Sequence, residues 1–315
     1  MSALLDVILP VFLIIGFGYA AARFGAIAPT GVDGIMTYAQ SFALPILLFK
    51  SIAAIDLSAA YSAGLMLSFY TGAFVSFALC FAVARWGFAR PAPDAVAIGF
   101  AGYFSNSLLL GIPITQNAYG VEALAGNFAI ISIHAPLLYS VGILAMVLAQ
   151  AKGGPKEGQN AGALARKTAI TILRQPLVIG ILCGFALNLS GLTLPAFAAT
   201  GVEFMARSAI PAALFGLGGV LLRYRPEGDA GLIGVVTFAS LIVHPGVAFG
   251  LGRFVFDLDQ AALRSVTLCA AMAPGVNAYI FANMFGVGRR VAASAVLMAT
   301  ALSILSIWAW LHILP

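Results

Sequence analysis

Two stretches place polar residues in the middle of long apolar runs. The first reads Gly99-Phe-Ala-Gly-Tyr-Phe-Ser-Asn106-Ser107-Leu-Leu-Leu-Gly111-Ile-Pro113 and the second Ala270-Ala-Met-Ala-Pro274-Gly275-Val-Asn277-Ala-Tyr279. Pro removes a backbone donor and Gly loosens the chain, so a helix is expected to break at each. The second half-helices then begin near Ser107 and Val276. Their first N–H groups are unpaired and their dipole ends positive, which suits an anion. Asn106 and Asn277 either cap those ends or donate to a carboxylate. No Asp or Glu lies near either break, which argues against a cation site. The chemistry on offer is recognition of a small organic anion. Its candidate binding residues are Asn106, Ser107, Gly111, Pro113, Pro274, Gly275 and Asn277. His134 and Tyr139, with Pro136 between them, are expected beside this point. His134 either has a substrate or gating role or is a core histidine satisfied by backbone carbonyls. No nucleophile–base pair, metal-ligand cluster, phosphate loop or cofactor motif appears, so neither an enzyme nor a metal or cofactor site is expected.

The elements that must position these residues follow from composition. Of 315 residues, 62% are hydrophobic and 9% charged, far below the quarter or so of charged residues in soluble domains. Apolar runs near the ~20 residues needed to cross a bilayer recur from end to end. Ten spans are expected, near 3–23, 33–51, 59–84, 94–119, 122–150, 169–190, 198–222, 230–255, 261–286 and 290–313, in a single membrane domain in contact with lipid. The run from Leu4 to Ala22 lacks a basic leader and reads as a retained first helix. Alternate loops hold twelve Lys or Arg residues against three, Lys50, Arg253 and Arg264, with Arg207 left inside a span. The positive-inside rule then puts both termini outside and the linker 151–168 in the cytoplasm. The net charge of +5 reflects these basic loops; a nucleic-acid partner is not expected. Cys80, Cys183 and Cys269 fall one per span and read as buried small hydrophobes rather than a disulfide framework.

Shifting the chain by 166 residues superposes its first two spans on the sixth and seventh. Pro10, Ile15, Gly18, Ala20, Gly25 and Pro29 meet Pro176, Ile181, Gly184, Ala186, Gly191 and Pro195. Ala43, Pro45, Leu48 and Phe49 meet Ala209, Pro211, Leu214 and Phe215. The chain therefore reads as two five-span repeats, 1–150 and 169–315. Five is odd, so the second copy must be inverted, the arrangement that lets a central site open to either side. The broken fourth and ninth spans are then symmetry mates that cross at the centre. The remaining polar residues have plainer readings. His244-Pro245-Gly246 is a kink, Glu203 and Arg207 an i,i+4 ion pair. Asp33, Asp94 and Glu122 suit helix starts, and Trp308 and Trp310 an aromatic belt.

The stretch from Asn106 to Gly120 resembles the fourth-helix motif of the auxin efflux carrier family, which includes the PIN carriers and bacterial malate and malonate carriers. Phe42-Ala-Leu-Pro45-Ile-Leu-Leu-Phe49, Ile210-Pro211-Ala-Ala-Leu-Phe215, His244-Pro245 and Ala273-Pro274-Gly-Val-Asn277 resemble its other landmarks, in order. The resemblance implies an all-helical fold akin to bile-acid symporters and sodium/proton antiporters. It implies a scaffold of spans one, two, six and seven, a core of the other six, and a homodimer joined through spans two and seven. It also implies that Asn106 meets the substrate carboxylate beside the crossover prolines. The short central linker and the single Pro274 set the chain apart from the plant members. The expectation is a bacterial inner-membrane carrier of mono- or dicarboxylates such as malate, malonate or auxin-like acids, working by elevator-type alternating access. A sodium- or proton-coupled relative of the same fold is the alternative.

Overall fold

The computed structural model describes residues 3–151, 170 and 173–315, and the linker expected at 151–168 lies outside them apart from Ala151. The described residues are helical almost throughout. Among the described residues, seven helices are long and apolar enough to cross a membrane: α1 (Leu5–Arg23), α2 (Pro29–Ala54), α3 (Ala63–Gly87), α6 (Val121–Ala151), α8 (Ala196–Leu221), α9 (Ala230–Phe254) and α12 (Arg289–Ile313). The other three expected spans are occupied differently. The fourth holds two half-helices, α4 (Ala92–Tyr103) and α5 (107–119), and the ninth another two, α10 (Gln260–Ala271) and α11 (Val276–Phe285). The sixth holds α7 (Pro176–Ser190), and its expected start at 169 lies outside the described residues.

Local chemistry sets several of these ends. The second span starts at Pro29 rather than 33, because proline is pre-set for a first helical turn. The third starts at Ala63 rather than 59, where the Ser62 hydroxyl accepts from the Leu65 N–H at 3.2 Å. Asp229 and Asp259 cap α9 and α10 in the same way. Four π-helical turns, Ala3–Ile8, Ala39–Ala43, Ser107–Gly111 and Ala239–Val243, each end two residues before a proline. A proline ring clashes with the carbonyl four residues back, and widening that turn admits it. The expected kink at His244-Pro245 takes this form.

Helix α1 packs along α8, and α7 along the second half of α2. Both seams depend on glycine. A Cβ on Gly18 would stand 1.9 Å from the Phe215 carbonyl oxygen, and one on Gly184 2.8 Å from that of Phe49. These contacts let backbone touch backbone, as small residues do between membrane helices. The remaining helices form a second group: α3 lies on α4 and α9, α10 on α9 and α11 on α12. Where the groups meet, the packing is apolar and small, with Leu109 against Ala39, Ala43, Ala209 and Ala213. Two details depart from expectation. Trp310 is no belt residue: it is 8% exposed and donates its indole N–H to the Leu241 carbonyl at 3.0 Å. Cys183 is exposed, whereas Cys80 and Cys269 are buried.

Candidate functional site

Each broken helix comes apart over three or four residues, and the two breaks touch. Ser105 faces Pro274 in an isolated antiparallel bridge. The Asn106 N–H donates to the Ala273 carbonyl at 2.8 Å and the Gly275 N–H to the Phe104 carbonyl at 2.9 Å. Pro274, which has no N–H, fits a position in this exchange that needs none. Gly275 is not there for its conformation, since its φ is −75°. A Cβ added to it would sit at an ordinary 3.8 Å from Asn106.

The crossing disposes the polar side chains unequally. Ser107 donates to the Cys269 carbonyl at 3.0 Å and pairs with the Ser105 hydroxyl at 2.8 Å. Asn106 occupies the N-cap position of α5, yet its side chain makes no cap bond. It is 8% exposed and lines a cavity of about 630 Å³. Asn277 is not its equivalent. It is the second residue of α11, and its carbonyl Oδ1 accepts the Tyr139 hydroxyl at 3.1 Å. Asn106 therefore offers its whole amide to the cavity, Asn277 only its NH₂ group. Behind them the Ser107, Leu108 and Val276 N–H groups have no hydrogen-bond partner among the described residues. They are the free amides expected at half-helix starts.

His134 also lines the cavity, wedged edge-on between Phe69 and Phe104 with ring centroids 5.5 and 4.7 Å away. It is 5% exposed, and neither ring nitrogen makes a hydrogen bond of acceptable geometry, although the Ser105 backbone lies close by. His244 does have a backbone partner, the Phe69 carbonyl at 3.2 Å. Tyr139 sits tilted or edge-on in a nest of Phe100, Phe104 and Phe281.

Asn106, Ser107, His134, Tyr139 and Asn277 thus share one cavity, and Pro274 and Gly275 support it through the backbone. Two expected residues stand elsewhere. Gly111 faces Met272 inside the helix packing, one turn past the break. Pro113 is further along α5 and lines a second cavity of about 610 Å³, near the start of α6. The opposite wall of the first cavity brings in residues not anticipated: Gln40 and Ser41 of α2, and Gln175 just before α7. Their signal was two consecutive polar residues inside an apolar span. Among the described residues, no Asp, Glu, Lys or Arg lines this cavity. A negative ligand there would be met by amides and helix ends alone, in a low-dielectric setting that strengthens both.

The second cavity differs in charge. Glu203 and Arg207 pair at 2.6 Å as expected, and Lys50 of α2 joins them by a second ion pair to Glu203 that the sequence did not disclose.

Comparison with known proteins agrees with this architecture. A family described as membrane transport protein matches residues 3–311. The "Putative malonate transporter" of Rhizobium meliloti is 25% identical over 315 residues, covering all of this chain and 97% of that one. The "Lysosomal cholesterol signaling protein" of Mus musculus is 26% identical over 336 residues; these take in all of this chain but 38% of the mouse protein.

Proposed function

Because the chain belongs to the membrane transport protein family, the family of the auxin efflux carriers, we propose that it carries small mono- or dicarboxylates by elevator-type alternating access. The observation that carries this reading is the crossing itself. Two broken helices present free N–H groups, and Asn106 presents an unpartnered amide, to a cavity without charged side chains among the described residues. A carboxylate satisfies all of these groups at once, whereas a cation would find no counter-charge. The relative named as a malonate transporter narrows the first acids to test.

In this reading the chain crosses the membrane ten times as two inverted five-helix repeats, with both termini outside a bacterial inner membrane. The glycine contacts support it: Gly18 on Phe215 and Gly184 on Phe49 are the same contact moved by 166 residues. Helices α1, α2, α7 and α8 are the scaffold, and the other helices are the core that carries the anion past it. The apolar, alanine-lined seam at Leu109 favours such sliding, and one side-chain hydrogen bond that the movement would break is that from Asn117 of α5 to the Val7 carbonyl of α1, at 3.1 Å. A homodimer through α2 and α8 would hold the scaffold still.

The test is counterflow in proteoliposomes loaded with unlabelled malonate, malate or indole-3-acetate, with the labelled acid outside. Accumulation of at least one is expected. No exchange of any of them, by protein that is folded and reconstituted, would remove the proposal. A second reading, coupling to protons, is favoured by one observation, the buried His134 with neither ring nitrogen partnered. It requires uptake that follows an imposed pH gradient in the wild type and ceases to follow it in His134→Gln.

A further inference from the structure

The two cavities are images of each other under the 166-residue shift. Ser41, Leu48 and Pro176 line the first, and Arg207, Leu214 and Pro10 line the second. Each pair differs by 166. The first cavity meets α6 from Ile131 onward and the second meets it from Val121 to Phe128, so they lie toward opposite ends of the molecule. By the charge pattern the second faces outward. In an inverted repeat, the outer cavity of this conformation becomes the binding chamber of the opposite one. The scaffold residue that then takes the place of Ser41 is Arg207.

Gln40 and Ala206, Leu44 and Ile210, and Leu177 and Val11 are three further pairs, and among the six only Ser41 and Arg207 exchange a neutral side chain with a charged one. Its surroundings are also one-sided. Glu203 and Lys50 have Thr37 and Gly216 as their images, so the ionic trio exists only on the outer wall. There Glu203 holds both cations, and the Arg207 side chain is 75% exposed toward open space.

We infer that Arg207 is a specificity-determining residue of the outward-facing site, where it takes the second carboxylate of a dicarboxylate whose first is held at Asn106. Glu203 is the placeholder anion that keeps Arg207 and Lys50 in position while the site is empty. The inward-facing site offers Ser41 instead, so the same substrate meets a cation outside and a neutral wall inside. The inference rests on the transporter reading and adds to it a substrate class and a sidedness.

Right-side-out membrane vesicles read the outer face and inside-out vesicles the inner face, with radiolabelled malonate as probe. Arg207→Gln should raise the outer half-saturation concentration about tenfold, the low end for a lost hydrogen bond to a charge, and leave the inner value where the wild type has it. The same variant should shift a monocarboxylate such as pyruvate far less. Arg207→Lys should recover part of the loss. Glu203→Gln releases both cations and should lower the outer value, with a stronger dependence on salt. Equal shifts at both faces, or none, would overturn the inference. If Arg207→Gln does not fold, Glu203→Gln decides alone: an outer value that stays or rises overturns it. A wild type that moves no carboxylate at either face instead removes the transporter reading, and this inference with it.

Discussion

Asn106 and Asn277 look interchangeable as symbols in a sequence, and one hydrogen bond makes them different. Tyr139 occupies Asn277, so Asn277→Ala should cost less affinity than Asn106→Ala and should loosen the aromatic nest instead. Asn106→Ala removes a donor to a charged group, worth about 1.5–3 kcal/mol. The dissociation constant for malonate, by calorimetry on purified protein, should therefore rise roughly ten- to a hundredfold. Asn106→Asp is the sharper change. It is nearly isosteric but turns a negative charge on an anion, and binding should vanish at neutral pH. Acidification should restore part of it as the new carboxyl group protonates, relative to the wild type titrated over the same range. Unimpaired binding by Asn106→Asp at neutral pH would leave Asn106 a structural residue only. Gly275→Ala, by contrast, should fold and bind nearly as the wild type does, because its Cβ meets nothing closer than 3.8 Å. That result is not legible in a Pro-Gly pair, which reads as a need for glycine. Here the break depends on the proline and on the main-chain bonds to the partner break.

Among the elements, glycines sort by what they touch. Gly18→Val would drive a side chain into the Phe215 carbonyl and force α1 away from α8. Overpacking of this kind costs about 1–3 kcal/mol, enough to lower the melting temperature of purified protein clearly. Gly16→Ala, two residues away with nothing within 4 Å, should leave it unchanged or raise it slightly through helix propensity. The sequence disclosed these elements well where apolar length or proline defined them. Both breaks fall where Asn106 and Pro274 announced them. It disclosed them poorly where a single cap decides, as at Ser62, and where a side chain's direction decides. Trp310 turns inward and Cys183 outward, and neither is visible in a run that is hydrophobic all round. Pro113 shows the same limit, since one turn of α5 separates it from the cavity that Asn106 lines.

For the whole molecule, the charge asymmetry gives a direct prediction. A reporter fused after Pro315 should be extracytoplasmic, and one inserted at Gly158, outside the described residues, cytoplasmic; either result reversed would undo the ten-span arrangement. Single cysteines at Phe42 of α2 and Phe204 of α8, both exposed, should cross-link between copies. Cross-links confined to α3 or α9 would contradict the proposed dimer. What the sequence could not supply at this scale was the pairing of distant parts: Lys50 with Glu203, or Gln40 and Ser41 with Asn106. The first pair arises only where α2 packs on α8, and the second only where α2 meets the broken helices. The join between the two broken helices has a different character. It is made by main-chain groups of Phe104, Asn106, Ala273 and Gly275, and main-chain hydrogen bonds are indifferent to the side chains they carry. Mutation can therefore rewrite the walls of the chamber while its frame stays put. A library randomised at Ser41, His134 and Tyr139 should retain folded members in quantity, and selection on new acids should retune the substrate without rebuilding the fold.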